Sequence, residues 1–161
     1  MYRILVPVDG SPNALAGVRH ALQSARQDGE IWLANVQPRL HRYVTRFVSR
    51  DDAWDARVER GRAALQEART LVESAGLVCR STVLRGEPAT ELARFAREQR
   101  IDQIVVGTSR SSGLLRFLTG SITNRLVELA DVPVAVVAGA RPNALRRTVM
   151  SSPPRVSWPA I

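Results

Sequence analysis

The chain has 161 residues, 45% of them hydrophobic, which fits one domain with a substantial core. No apolar run approaches the roughly 20 residues that a membrane-crossing helix needs, and the opening Met1-Tyr2-Arg3 is charged too soon for a signal peptide. The net charge of +8 suggests nucleic acid, but all 23 basic residues are Arg, and four of them fall after Ala138 where there is no acid. That tail accounts for half of the excess. In the body, Arg alternates with acids, as in Asp55-Ala56-Arg57-Val58-Glu59-Arg60, the pattern of a solvated helix face. Neither nucleic acid nor a membrane is an expected partner. The one cysteine, Cys79, sits in an apolar stretch and is expected to pack as a small hydrophobe in a reducing cytoplasm.

Tyr2 to Val8 is a short β-rich run, with Pro7 near its end, where a lost ladder donor matters least. Asp9-Gly10-Ser11-Pro12 is turn chemistry, and Ser11-Pro12 predicts an N-cap and first helical residue. Leu15, Val18, Ala21, Leu22 and Ala25 recur at helical spacing, and Asp28-Gly29 is expected to stop that helix. Ile31 to Val36 predicts a second strand, ended by Pro38. Residues 38–52 form a long basic connection. Ala53 to Ala75 predicts a long amphipathic helix with Val58, Leu65, Ala68 and Val72 on its buried stripe and Gly76 just past its end. Leu77 to Leu84 is the third strand. Gly86-Glu87-Pro88 leads into a helix through Leu92, Phe95 and Ala96. Asp102 to Val106 is a fourth strand ending at Gly107. A loop of small residues follows, then a helix from Gly120 to Ala130. Asp131-Val132-Pro133 turns into a fifth strand, Val134 to Val137. The tail, residues 139–161, has four Pro, four Arg and no clear period, and is expected to be flexible or docked on a partner.

The order is βαβαβαβαβ with short, continuously apolar strands. This predicts an α/β fold: a doubly wound, five-stranded parallel sheet covered on both faces. In such sheets ligands lie beyond the carboxyl ends of the strands, at the switch point of strand order. Two strands end in small polar residues, at Asp9-Gly10-Ser11 and Gly107-Thr108-Ser109. If those strands are neighbours, their loops share one crevice. Gly107 and Gly120-Ser121 have the chemistry of a phosphate cradle, because backbone N–H groups approach closely where no Cβ intrudes and a helix N-terminus favours an anion. The plainer reading makes Gly107 a strand-exit turn and Ser121 an ordinary cap. Gly113 is followed by Leu114, not Lys, so there is no Walker signature. His20 and His41 have no metal-ligand spacing, and no nucleophile–base grouping or carboxylate pair stands out. No catalytic or metal-ligating residue is predicted.

Over residues 1–138 the chain resembles the universal stress protein family. The resemblance rests on Ile4-Leu5-Val6-Pro7-Val8-Asp9-Gly10-Ser11, on Gly86-Glu87-Pro88 with Glu91-Leu92, on Asp102-Gln103-Ile104-Val105-Val106-Gly107-Thr108, and on Gly120-Ser121 followed by Val132 to Val137. It implies a flavodoxin-like sandwich with strand order 3-2-1-4-5 and a cytoplasmic homodimer paired through the last strand (Val134, Ala135, Val136, Val137). It also implies an adenine-nucleotide cofactor, ATP or a relative, with or without Mg²⁺. The ATP-binding members have Gly, two residues, Gly, nine residues, Gly, then Ser or Thr. Here the second glycine is Arg110, with the spacing intact.

On that resemblance Pro7, Val8 and Asp9 face the nucleotide, Asp9 toward the ribose or a metal's water shell. The Val36 backbone pairs with adenine, and Val106-Gly107 admits the ligand. Gly120, Ser121 and Ile122 hold phosphate. The alternatives are an Asx-type cap for Asp9 and plain core for Val36. Arg110 either pairs with phosphate oxygens through its planar fork or fills their place with its stem. The first outcome predicts a module that binds or senses nucleotide, with at most slow ATP hydrolysis. The second predicts a nucleotide-free interaction module acting on an unidentified protein partner. A nucleotidyl transferase on the same architecture would need a HIGH-like or Walker-like signature, which the chain lacks.

Overall fold

The computed structural model describes residues 1–25, 29–39, 50–108 and 121–139. Strand β1 (Arg3–Pro7) is followed by α1 (Pro12–Ser24), β2 (Glu30–Gln37), α2 (Arg50–Ser74), β3 (Val78–Arg85), α3 (Pro88–Glu98), β4 (Gln103–Thr108), α4 (Ser121–Leu129) and β5 (Val134–Ala138). All strand pairs are parallel, in the order β3-β2-β1-β4-β5. This is the predicted doubly wound α/β sheet, and the order reverses between β1 and β4.

The alternation of side chains along each strand builds two cores. On one face Ile4, Val6, Ile31 and Leu33 pack with Leu15 and Val18 of α1 and Leu65 and Val72 of α2. On the other, Leu5, Ala34 and Ile104 pack with Leu92 and Phe95 of α3 and Leu126 of α4. Ile4, Leu5, Leu33 and Ile104 are fully buried, each worth about 1.5–3 kcal/mol over exposure. Cys79 packs against the first core, as expected of a small hydrophobe, and burial pushes its thiol pKa up, with Glu73 adding to the shift.

Local chemistry explains most boundaries. The Ser11 hydroxyl accepts the Ala14 N–H at 3.3 Å, with Pro12 in the first turn of α1. Gly76, at φ +73°, lies just past the end of α2. Three boundaries differ from the sequence reading by two residues or more, the others by one. Helix α1 stops at Ser24, where Ala25 turns extended and donates to the Ala21 carbonyl at 2.8 Å, ahead of Asp28-Gly29. Helix α2 begins at Arg50 rather than Ala53. Strand β4 does not end before the glycine: Gly107 pairs with Val137 and Thr108 with Ala138, because β5 offers a partner ladder that outweighs glycine's weak strand preference.

The amino ends of the central strands are tied by charge. Glu30, 2% exposed, opens β2 and bridges Arg3 of β1 at 3.3 Å and Arg80 of β3. Burial alone would raise its pKa, but the Arg80 hydrogen bond and the charges of Arg80 and Arg3 outweigh it, and the net shift is downward. The Arg80 guanidinium also lies 5.2 Å from the Trp32 ring centre, and Trp32 meets Phe95 edge-on at 5.6 Å.

Candidate functional site

At the opposite, carboxyl ends, β1 and β4 part. The Val8 N–H donates to the Ala34 carbonyl of β2 at 2.8 Å. Backbone N–H groups alternate sides along a strand, so the nitrogen of Pro7 faces β4, and it carries no hydrogen. The β1–β4 register accordingly covers only Ile4↔Gln103 and Leu5↔Ile104, whereas β1–β2 continues to Pro7↔Ala34. Proline thus opens the sheet at its switch point.

A cavity of about 360 Å³ occupies this opening, within the range of small-molecule sites. Pro7, Val8, Asp9, Val36, Val106, Gly107 and Ile122, each predicted from sequence, line it. Ser121 opens α4. Arg110, Gly120 and the Ser121 side chain lie outside the described residues, as do His41 and residues 140–161. Ala14, Ala34, Asn35, Pro88, Leu92 and Thr123 also line the cavity; Pro88 and Leu92 belong to a motif quoted from the sequence, but none of the six was predicted as a site residue. Asn35 did carry a signal, as the polar residue inside the apolar run Ile31 to Val36.

The lining is largely apolar, with a few polar groups placed around it. Asp9 is exposed, and its Oδ1 accepts the Ser11 N–H at 2.9 Å, the Asx-type cap expected as its plainer role. Its second oxygen takes no part in that bond. Val36 presents backbone to the space. Gly86 N–H donates to the Gln37 carbonyl on the β3 side, so by alternation the N–H and C=O of Val36 face the β1 side, past the end of β1.

Two helix N-termini meet the cavity, at Pro88 of α3 and at Ile122 and Thr123 of α4. Glu87 caps α3, accepting from Ala89 N–H at 3.2 Å and Thr90 N–H at 2.8 Å. The Thr90 hydroxyl and backbone bonds, aided by Arg125, hold its carboxyl below the ordinary range. The positive pole of α3 is therefore answered within the chain, whereas the residues that would cap α4 lie outside the described ones.

Gly107 has a reason beyond ligand access. A Cβ there would lie 1.9 Å from the Asn13 carbonyl oxygen and 3.1 Å from the Ala14 Cα. The strand must be bare because the first turn of α1 rests on it. Neither a strand-exit turn nor room for a nucleotide accounts for this glycine by itself.

A family model described as the universal stress protein family matches residues 1–138. The chain is 32% identical over 142 residues to universal stress protein MJ0531 of Methanocaldococcus jannaschii, covering 84% of this chain and 81% of that one. Among solved structures it is similar to the universal stress protein UspA of Lactobacillus plantarum, with a TM-score of 0.69 at 25% identity over 84% and 97% of the two chains. It is also similar in fold to an Arabidopsis thaliana protein of the same family solved with AMP bound, with a TM-score of 0.64 at 20% identity over 87% and 93%.

Proposed function

The chain belongs to the universal stress protein family, and from that premise we propose that it is a cytoplasmic stress-response module that holds an adenine nucleotide in the switch-point cavity and senses it rather than turning it over rapidly. The observation that carries this reading is the convergence of Pro7, Val8, Asp9, Val36, Val106 and Gly107 on one apolar cavity beside the first turn of α4. An extended residue whose N–H and C=O face the same side matches the N1 acceptor and N6 donor of adenine. An apolar slot suits the purine faces, an exposed carboxylate suits ribose hydroxyls, and a helix N-terminus suits phosphate. The residues present fit the group. The AMP held by the Arabidopsis relative is the same chemistry. ATP, with or without Mg²⁺, is the form we assign; among the described lining residues the one carboxylate, Asp9, is given to the ribose.

Calorimetric titration of the native chain with AMP and ATP tests this. Saturable binding below millimolar concentration is expected, and Asp9→Ala should weaken it about fivefold, the effect of one hydrogen bond. No binding at millimolar nucleotide by the native chain, restored in Arg110→Gly, would favour the nucleotide-free interaction module. Gly120→Val leaving affinity unchanged would show the phosphate end to lie elsewhere.

We also propose a homodimer through β5. This strand lies at the sheet edge, and Val136 on it is 37% exposed. A monomer mass in light scattering at high concentration would end that proposal.

A further inference from the structure

The next rung of the β1–β2 ladder after Val8 N–H to Ala34 C=O would be Val36 N–H onto the Val8 carbonyl. Among the described residues that rung is not made. The carbonyl instead accepts Asn35 Nδ2 at 2.7 Å. The orientation of this carboxamide follows from chemistry, since a carbonyl oxygen can only accept and must face the NH₂ end. Its other end agrees: Asn35 Oδ1 accepts Gln37 Nε2 at 2.7 Å. Asn35 is 4% exposed, and α2 makes room for it. A Cβ at Gly61 would lie 2.9 Å from Asn35 Oδ1 and 2.8 Å from both Val83 methyls.

From this we infer that Asn35 is a positioning residue for the purine: by occupying the Val8 carbonyl, its side chain keeps the Val36 N–H out of the sheet and available to the N1 acceptor of adenine. The inference rests on the nucleotide reading above. It assigns a task to a buried polar group that would otherwise cost stability in an apolar strand. A side chain without a donor at position 35 would leave the Val8 carbonyl to Val36. The ladder would then close by one rung over the cavity.

Two measurements on the full chain separate this inference from the reading it rests on. The first is amide hydrogen exchange without nucleotide. Val36 should exchange at least tenfold faster than Leu33, which lies within the ladder, and should slow in Asn35→Ala. A native Val36 amide as protected as that of Leu33 would overturn the inference. The second compares AMP with 1-deaza-AMP, whose ring carries C–H in place of N1. The native chain should favour AMP about fivefold, the worth of one hydrogen bond, and Asn35→Ala should bind the two equally. A merely structural Asn35 would weaken both ligands and leave their ratio intact, which would also overturn it. If the native chain binds neither compound while Val36 exchanges freely, the nucleotide reading fails and the purine role falls with it. Should Asn35→Ala not fold, the native exchange pattern and the native AMP preference still decide.

Discussion

The two ends of the central sheet solve opposite problems with the same strands. At the amino end, Glu30 ties β1, β2 and β3 together through Arg3 and Arg80, and the strands stay in register. At the carboxyl end, Pro7 withholds a hydrogen and Asn35 diverts a carbonyl, so the strands separate and backbone is left for a ligand. The contrast shows that a parallel sheet can be closed by one buried carboxylate and opened by two local subtractions from its ladder. Buried ion pairing lies at one end of the strands, and an unmade ladder rung at the other.

The contrast can be broken most severely at Gly107. In Gly107→Ala the new methyl meets the Asn13 carbonyl, and overpacking of this kind costs about 3 kcal/mol. Urea unfolding should show that loss, and nucleotide affinity should fall with it because α1 must retreat from the cavity wall. At the other end, Glu30→Ala strips two guanidinium groups of their shared partner. It should cost about 2 kcal/mol, the scale of charge-assisted hydrogen bonds, with AMP affinity in native buffer unchanged. Equal damage to affinity would mean the two ends are not independent.

Acid sharpens the same point with a smaller effect. The Glu30 carboxyl titrates below its ordinary value of 4.5 in the folded chain. Its contribution is therefore fully present above that ordinary value and is lost as pH falls through the lowered folded one. Glu30→Gln should flatten this acid limb of the stability curve, read as the urea midpoint between neutral pH and pH 3. The smallest expected effect is Pro7→Ala. Stability should change by less than about 1 kcal/mol, but the restored N–H at position 7 can bond toward β4. That amide should be protected from exchange, and the cavity should bind nucleotide a few-fold more weakly.

Much of this architecture was legible in the residues. Strand runs and helical spacing placed the nine elements among the described residues, and the small polar residues after Val8 and Val106 pointed to the crevice. What stayed hidden depends on distant partners. Asn35 acts on a carbonyl 27 positions earlier in the chain, and the role of Glu30 depends on Arg80, 50 positions later. Gly107 looked like a strand stop because its need for bareness comes from α1. Helix α1 itself ended early at Ala25, where no glycine or proline announces it.

The seating of α1 has a mechanical consequence. Its Asn13 presses on bare backbone at two places. The carbonyl oxygen crowds Gly107, and Oδ1 would sit 2.6 Å from any Cβ on Gly139, just past β5. The start of this helix is thus wedged between the strand that walls the cavity and the segment leaving the sheet's outer edge. An occupant that pushed on Gly107 would therefore meet the Asn13 carbonyl main chain against main chain, while the Asn13 side chain alone spans from there to Gly139.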